Sequence, residues 1–142
     1  MTRQDVEDIF ARREQAITRR DAVTLASLHS ADGVLESPTA GGTVHGRHAI
    51  EEVYRAWFTA FPDVTFATDE PLLIDGDRVA QRLTITGTDT GGFLGLPATG
   101  KAFRVPLVVL CTLADHQIVH ERRIYDFTGM LIQIGVLKAR PV

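Results

Sequence analysis

The residues with the most chemistry to offer sit near the end of the chain, in the run His120-Glu121-Arg122-Arg123-Ile124-Tyr125-Asp126. The run has the pattern of a strand. Period-two alternation places His120, Arg122, Ile124 and Asp126 on one face and Glu121, Arg123, Tyr125 and Phe127 on the other. Asp126 ends the strand and opens a helix, a position where an aspartate caps the helix. In an apolar cavity the same carboxyl would have its pKa raised toward the working range and could move a proton next to a carbonyl. On its face Arg122 lies ~13 Å away and His120 ~20 Å, at about 3.3 Å per residue, so they would line other depths of one cavity rather than touch the acid. Arg122 would there clamp an acidic or carbonyl-bearing ligand. The alternative is an ion pair with a carboxylate on a neighbouring strand.

Other side chains offer less. Asp89 is either a buried proton shuttle or a loop residue making an Asx-turn before Gly91. Arg82 shares a strand face with Thr84 and Thr86 and is assigned to structure or to a pocket rim. Trp57 and Phe58, with Tyr54 and Phe61, form core, and one or two of them supply an apolar pocket wall. His45 and His48 flank a helix start without a third ligand for a metal. His29 and His116 are assigned to the surface or to turns. The glycine-rich stretch 91–100 precedes a β segment rather than a helix, so it is no phosphate cradle. Cys111, the single cysteine, lies in the apolar run Val105–Leu113 and is expected to be a buried, inert thiol.

The elements that must position these residues follow from periodicity. Val6, Ile9, Phe10, Ala16 and Ile17 have helical spacing interrupted by Arg13. Asp21 caps a short second helix carrying Val23, Leu25 and Leu28, ended by Asp32-Gly33. Val34–Ser37 is a short strand stopped by Pro38, and Thr39–Gly46 a turn or short hairpin arm. Ile50, Val53, Tyr54, Trp57, Phe58 and Phe61 mark a strongly amphipathic third helix, stopped by Pro62. Strands follow over Val64–Ile74, Arg78–Thr88, Ala102–Ala114 and Gln117–Phe127, with turns at Asp75-Gly76-Asp77 and Asp115-His116, and Thr128–Gly135 forms a short terminal helix. Helices first and antiparallel strands after give an α+β fold. Long strands twist and curl, so helices laid across the concave side leave a half-barrel whose mouth is a pocket.

The 142 residues fit one domain, spanning 1–142, and bury enough surface to need no disulfide or metal. Apolar residues make up 44% and charged residues 23%, with a net charge of −3, which argues against a nucleic-acid binder or a binder of anionic membranes. The charged, amphipathic N-terminus lacks the apolar core of a secretory signal, so the expected location is cytoplasmic.

These residues carry a family resemblance. Gly87–Lys101, GTDTGGFLGLPATGK, closely resembles the GTHTG-x-F-x-GLPPTG segment of SnoaL-like polyketide cyclases, also called ester cyclases. Ile118–Asp126 followed by Gly129–Gly135 looks like their last strand and D-x-x-G-x-x-x-Q-x-G ending. Phe61-Pro62-Asp63 and Asp75–Val79 also match the family's habits. The resemblance implies the cone-shaped fold of the nuclear-transport-factor superfamily: a curved antiparallel sheet with the N-terminal helices on its concave face. That superfamily also includes ketosteroid isomerase, limonene-epoxide hydrolase and proteins that only bind. It implies a small hydrophobic ligand, no cofactor or metal, a homodimer, and an intramolecular aldol cyclase or isomerase whose acid/base residue is Asp126. Arg122, His120, Asp89, Arg82, Trp57 and Phe58 would then contact the substrate. Arg122 stands where relatives have tryptophan, and Asp89 where they have histidine. Thr84 occupies the carboxylate slot of the epoxide hydrolases and cannot act as their base. A binding domain without catalysis, or a hydrolase or isomerase on the same pocket, are the alternatives.

Overall fold

A computed structural model describes residues 1–139. Helix α1, Arg3–Thr18, starts at a reciprocal cap: Thr2 Oγ1 accepts from the Asp5 amide, and Asp5 accepts from the Thr2 amide. Its apolar spacing turns Val6, Ile9, Phe10, Ala16 and Ile17 inward, and Arg13 with them. Helix α2, Ala22–Ser27, begins at Asp21, whose carboxylate accepts from the Thr24 amide at 3.0 Å. Helix α3, Arg47–Ala60, buries Ile50, Tyr54, Trp57 and Ala60 along one stripe. No helix among the described residues is long and apolar enough to cross a membrane.

The strands are β1 (His29–Ser37), β2 (Gly42–His45), β3 (Thr65–Thr68), β4 (Leu73–Asp75), β5 (Arg78–Thr88), β6 (Ala102–Ala114) and β7 (Gln117–Tyr125). They form one open sheet in the order β2-β1-β7-β6-β5-β3, with β4 also on β5. Helix α4, Phe127–Gln133, closes the chain's last turn against the core through Met130, Leu131 and Ile134. Strict alternation governs β5 and β6. Val79, Leu83 and Ile85 point inward with Phe103, Val105, Leu107, Val109, Cys111 and Leu113, and the even-numbered residues point outward.

Four expectations are corrected. The sheet is mixed rather than antiparallel, because β1 runs parallel to β7. The span Val64–Ile74 is two strands, since the segment around Pro71, which lacks an amide donor, leaves the ladder. Strand β1 starts at His29 and runs through Asp32-Gly33, so His29 is fully buried. Alternation in β7 carries a break: Thr112 pairs with His120 but Leu113 pairs with Ile118, which leaves Val119 as an extra, bulged residue. Ile118 points inward, and after the bulge so do Glu121 and Arg123, while Arg122 and Ile124 face outward.

The bulge sets a polar cluster inside the core. Glu121 accepts from Tyr54 Oη at 2.8 Å on Oε1 and from Arg123 Nε at 2.7 Å on Oε2. His29 Nε2 lies 3.1 Å from Oε1, and Arg13 Nη2 3.7 Å from Oε2. The other His29 nitrogen, Nδ1, donates to the Leu25 carbonyl at 3.0 Å. Burial alone would raise the Glu121 pKa, but Arg123, Arg13 and His29 together hold it well below the ordinary carboxylate value. Burial also raises the neighbouring Cys111 thiol, as an inert cysteine requires.

The loop between β5 and β6 is tied down as firmly. Asp89, 1% exposed, accepts from the Gly92 amide at 3.2 Å and from the Thr99 amide and hydroxyl, each at 3.1 Å. Gly91 donates to Ala60 O at the end of α3, where a Cβ would lie 1.9 Å from Thr59 O, so only glycine fits. Phe93 then reaches the aromatic core, 4.8 Å from Phe61 and 5.6 Å from Trp57 between ring centroids.

Glu121→Gln is expected to destabilise the fold at neutral pH by about 3–5 kcal/mol, the cost of breaking a buried ion pair. It would appear as a lower urea midpoint at unchanged slope. Because the folded carboxyl titrates below its unfolded value, its contribution is complete above the ordinary carboxylate range and is lost as pH falls through the depressed value. The difference between wild type and variant should therefore close in strong acid. Asp89→Ala should cost about 1–3 kcal/mol and accelerate amide exchange at Gly92 and Thr99.

Candidate functional site

A cleft of about 810 Å³ opens between α3, the β1–β2 connection and the loop at 92–95. This volume suits a small organic molecule. Helix α3 supplies Val53, Ala56, Trp57 and Ala60 as one apolar wall; Phe93 and Leu94 face it from the loop, and Val44 from β2. His48, Glu52 and Arg55 supply the charged and titratable groups of the lining. The helix places Trp57 here because residues 53, 56, 57 and 60 share one stripe, and the loop stays in place because Asp89 and Gly91 fix its ends.

Hydroxyl groups lie beside this lining. The Tyr125 ring stands 6.0 Å from Trp57, nearly perpendicular to it. Its hydroxyl is buried and makes no hydrogen bond of normal geometry to the described residues. Ser37 and Thr39, whose hydroxyls lie 3.0 Å apart, are close enough to influence it, and Thr39 lines the cleft. Burial raises the Tyr125 pKa, opposed by Thr39, Ser37 and the charge of Arg123, so Tyr125 is a neutral O–H donor at physiological pH. Arg123 lies behind it on the same face of β7, its Cζ 4.6 Å over the Tyr54 ring.

The residues singled out from the sequence are dispersed. Of them, Trp57 lines the cleft. Phe58 is half-buried, packed between the core clusters 6.4 Å from Tyr54. Asp126 is solvent-exposed, and its Oδ1 accepts from the Gly129 amide at 2.9 Å as the cap of α4. Arg122 and His120 sit on the outer face of the sheet, where Glu36 Oε2 lies 2.5 Å from Arg122 Nε and 3.2 Å from His120 Nε2. The hydrogen bond from Arg122 is the largest influence lowering the Glu36 pKa. Arg82 is exposed and pairs with Glu70 at 3.3 Å. Asp89 serves the loop rather than the cleft.

The groups that the sequence reading left out are Tyr125, Arg123, Ser37 and Thr39. Tyr125 and Arg123 belong to the other parity of β7. The signal that could have found them was Ile118, an isoleucine two places from a histidine and four from an arginine. An apolar residue sharing a face with those charges calls for a bulge between them.

Known structures share this arrangement of helices and sheet. TsrD from Streptomyces laurentii superposes with a TM-score of 0.83 at 23% identity, over 96% of this chain and 99% of its own. A Catenulispora acidiphila protein of ketosteroid isomerase-like fold gives 0.77 at 22% identity, over 89% and 92%. IdmH from Streptomyces antibioticus gives 0.74 at 29% identity, over 91% and 97%. No curated protein matches the sequence. The sequence matches the SnoaL-like polyketide cyclase family from residue 7 to residue 134, most of its length, and the protein belongs to that family.

Proposed function

We propose that the protein binds a hydrophobic, carbonyl-bearing small molecule in the α3 cleft. The observation that carries this reading is the buried Tyr125 hydroxyl, which has no hydrogen bond of normal geometry among the described residues, beside the aromatic wall of Trp57. A buried donor without a partner costs about 1–3 kcal/mol, and a ligand oxygen would recover that cost. The similarity to IdmH, a candidate polyketide cyclase, fits this reading.

A second reading, cofactor-free acid/base chemistry on that carbonyl, is favoured by His48 and Glu52, both in the cleft lining. Tyr125 would donate to the oxygen as enolate charge develops, and Glu52 or His48 would take the proton next to the carbonyl. Asp126, exposed and engaged as a cap, is left with a structural role in this scheme.

A bicyclic aliphatic ketone such as decalone is a suitable probe, because Trp57 is the single tryptophan and reports on the cleft by fluorescence. Saturable quenching is expected in the wild type and should be lost in Ala56→Phe, which fills the cleft from an exposed position; equal quenching in both would sink the assignment. For catalysis, deuterium exchange next to the decalone carbonyl should slow at least tenfold in Glu52→Gln or His48→Gln. Asp126→Ala should leave it unchanged while costing about 1 kcal/mol of stability through the lost cap.

We also infer that two copies pair through the outer face of the sheet, where Pro106, Val108, Leu110 and the 52%-exposed Ile124 form an apolar strip. Sedimentation should show a dimer, and Ile124→Arg a monomer.

A further inference from the structure

The buried cluster holds more cationic donors than acceptors. Arg13 and Arg123 share one carboxylate, Glu121, and all three side chains are at most 5% exposed. Both Glu121 oxygens are occupied: Oε1 by Tyr54 and His29, Oε2 by Arg123 Nε. Arg123 Nη2 is left without a hydrogen-bond partner among the described residues. Arg123 stays ionised, because the charge and hydrogen bond of Glu121 outweigh the burial that opposes it. A buried ionised donor left unmade is costlier than a neutral one.

Neither Arg123 nor Tyr125 lines the cleft itself, but the Tyr125 ring packs 6.0 Å from Trp57, which does. Arg123 and Tyr125 are two residues apart on the inward face of β7, and the Arg123 charge acts on the Tyr125 hydroxyl. Around that hydroxyl are the alcohols of Ser37 and Thr39. The inward face of β7 thus carries a guanidinium and a phenol two residues apart, and among the described residues Arg123 pairs with no carboxylate besides Glu121. Gln81, the neighbouring side chain with an unpaired acceptor, sits on the same row of the sheet with Val109 between it and Arg123. Two strand spacings separate their backbones by about 10 Å, and a neutral amide leaves the positive charge unbalanced.

We infer that the cleft's ligand carries an oxyanion, a carboxylate or an ionised acidic enol, on its apolar body, and that Arg123 with Tyr125 holds this group at the inner end. The inference rests on the reading of the cleft as a small-molecule site and narrows it. The apolar body lies against Trp57, Val53 and Phe93, and the head group passes Thr39 to reach Tyr125 and Arg123.

The test compares two probes of one shape, decahydronaphthoate and decalone, by calorimetric titration of the full chain. Charge-assisted hydrogen bonds predict that the carboxylate binds about 10–100-fold tighter than the ketone. Acetate, which has the head group alone, should bind at least tenfold more weakly than decahydronaphthoate. Arg123→Gln should abolish the preference for the carboxylate. Because that variant also disturbs Glu121, Arg123→Lys and Tyr125→Phe provide a second measurement: the lysine should keep part of the preference, and the phenylalanine should lower carboxylate affinity several-fold with the charge still in place. Equal affinity for ketone and carboxylate would overturn the anion assignment and leave the small-molecule site standing. So would a preference that survives Arg123→Gln, or acetate binding as tightly as decahydronaphthoate. If neither bicyclic probe binds, the small-molecule reading falls, and this inference falls with it.

Discussion

The carboxylate of Glu121 is the point at which the separate parts of this protein meet. It receives Tyr54 from α3, His29 from β1, Arg123 from its own strand and the charge of Arg13 from α1. Apolar packing brings these elements to the same region but is indifferent to small slides and rotations. A buried ion pair is not indifferent, because displacing any member leaves a charge in a medium that solvates it poorly. The cluster thereby sets how α1 and α3 sit on the sheet, and with them the position of Trp57 and the depth of the cleft. Its partners are distant in the chain, with His29 and Glu121 92 residues apart, so forming it requires the whole topology.

The bulge at Val119 decides which side chains can join that cluster. Without it, one face would hold Ile118, His120 and Arg122, and a single register would turn His120 and Arg122 inward in place of Glu121 and Arg123. With it, Ile118 enters the core, Glu121 and Arg123 follow, and Arg122 goes outward to Glu36. One extra residue thus separates an ion pair that belongs to the sheet's outer face from one that belongs to the interior.

This is also why the fold was legible in the sequence and the site was not. Helix α3 declares itself through Ile50, Tyr54 and Trp57, and the alternation from Val79 to Ile85 and from Phe103 to Leu113 declares two strands. Those signals are local and repeat many times. The cap at Asp126 was equally local and was one of the two readings the sequence allowed. The bulge, by contrast, falls on an ordinary Val-His pair with no glycine or proline to mark it. Arg13 and His29 looked like a polar break and a turn residue because their counter-charge comes from the far end of the chain, and local patterning carries no information about it. The parallel pairing of β1 with β7 was hidden for the same reason.

The cluster that organises the fold also constrains the chemistry. A general base must want a proton, and the carboxylates that serve as bases in apolar sites do so because burial raises their pKa. Glu121 is buried, yet its partners drive its pKa the other way, so the most deeply placed carboxylate here is a poor proton acceptor. Tyr54, His29 and Arg123 reach its two oxygens and keep it ionised. Among the described residues, the donors of this cluster left unspent are Arg13 Nε and Arg123 Nη2, the latter on the same face of β7 as the Tyr125 phenol. A polar end composed of donors stabilises negative charge on an oxygen atom, whether that charge arrives with the ligand or develops on a carbonyl as a neighbouring proton leaves. In the proposed acid/base reading, proton removal would fall to His48 and Glu52, which line the cleft from α3.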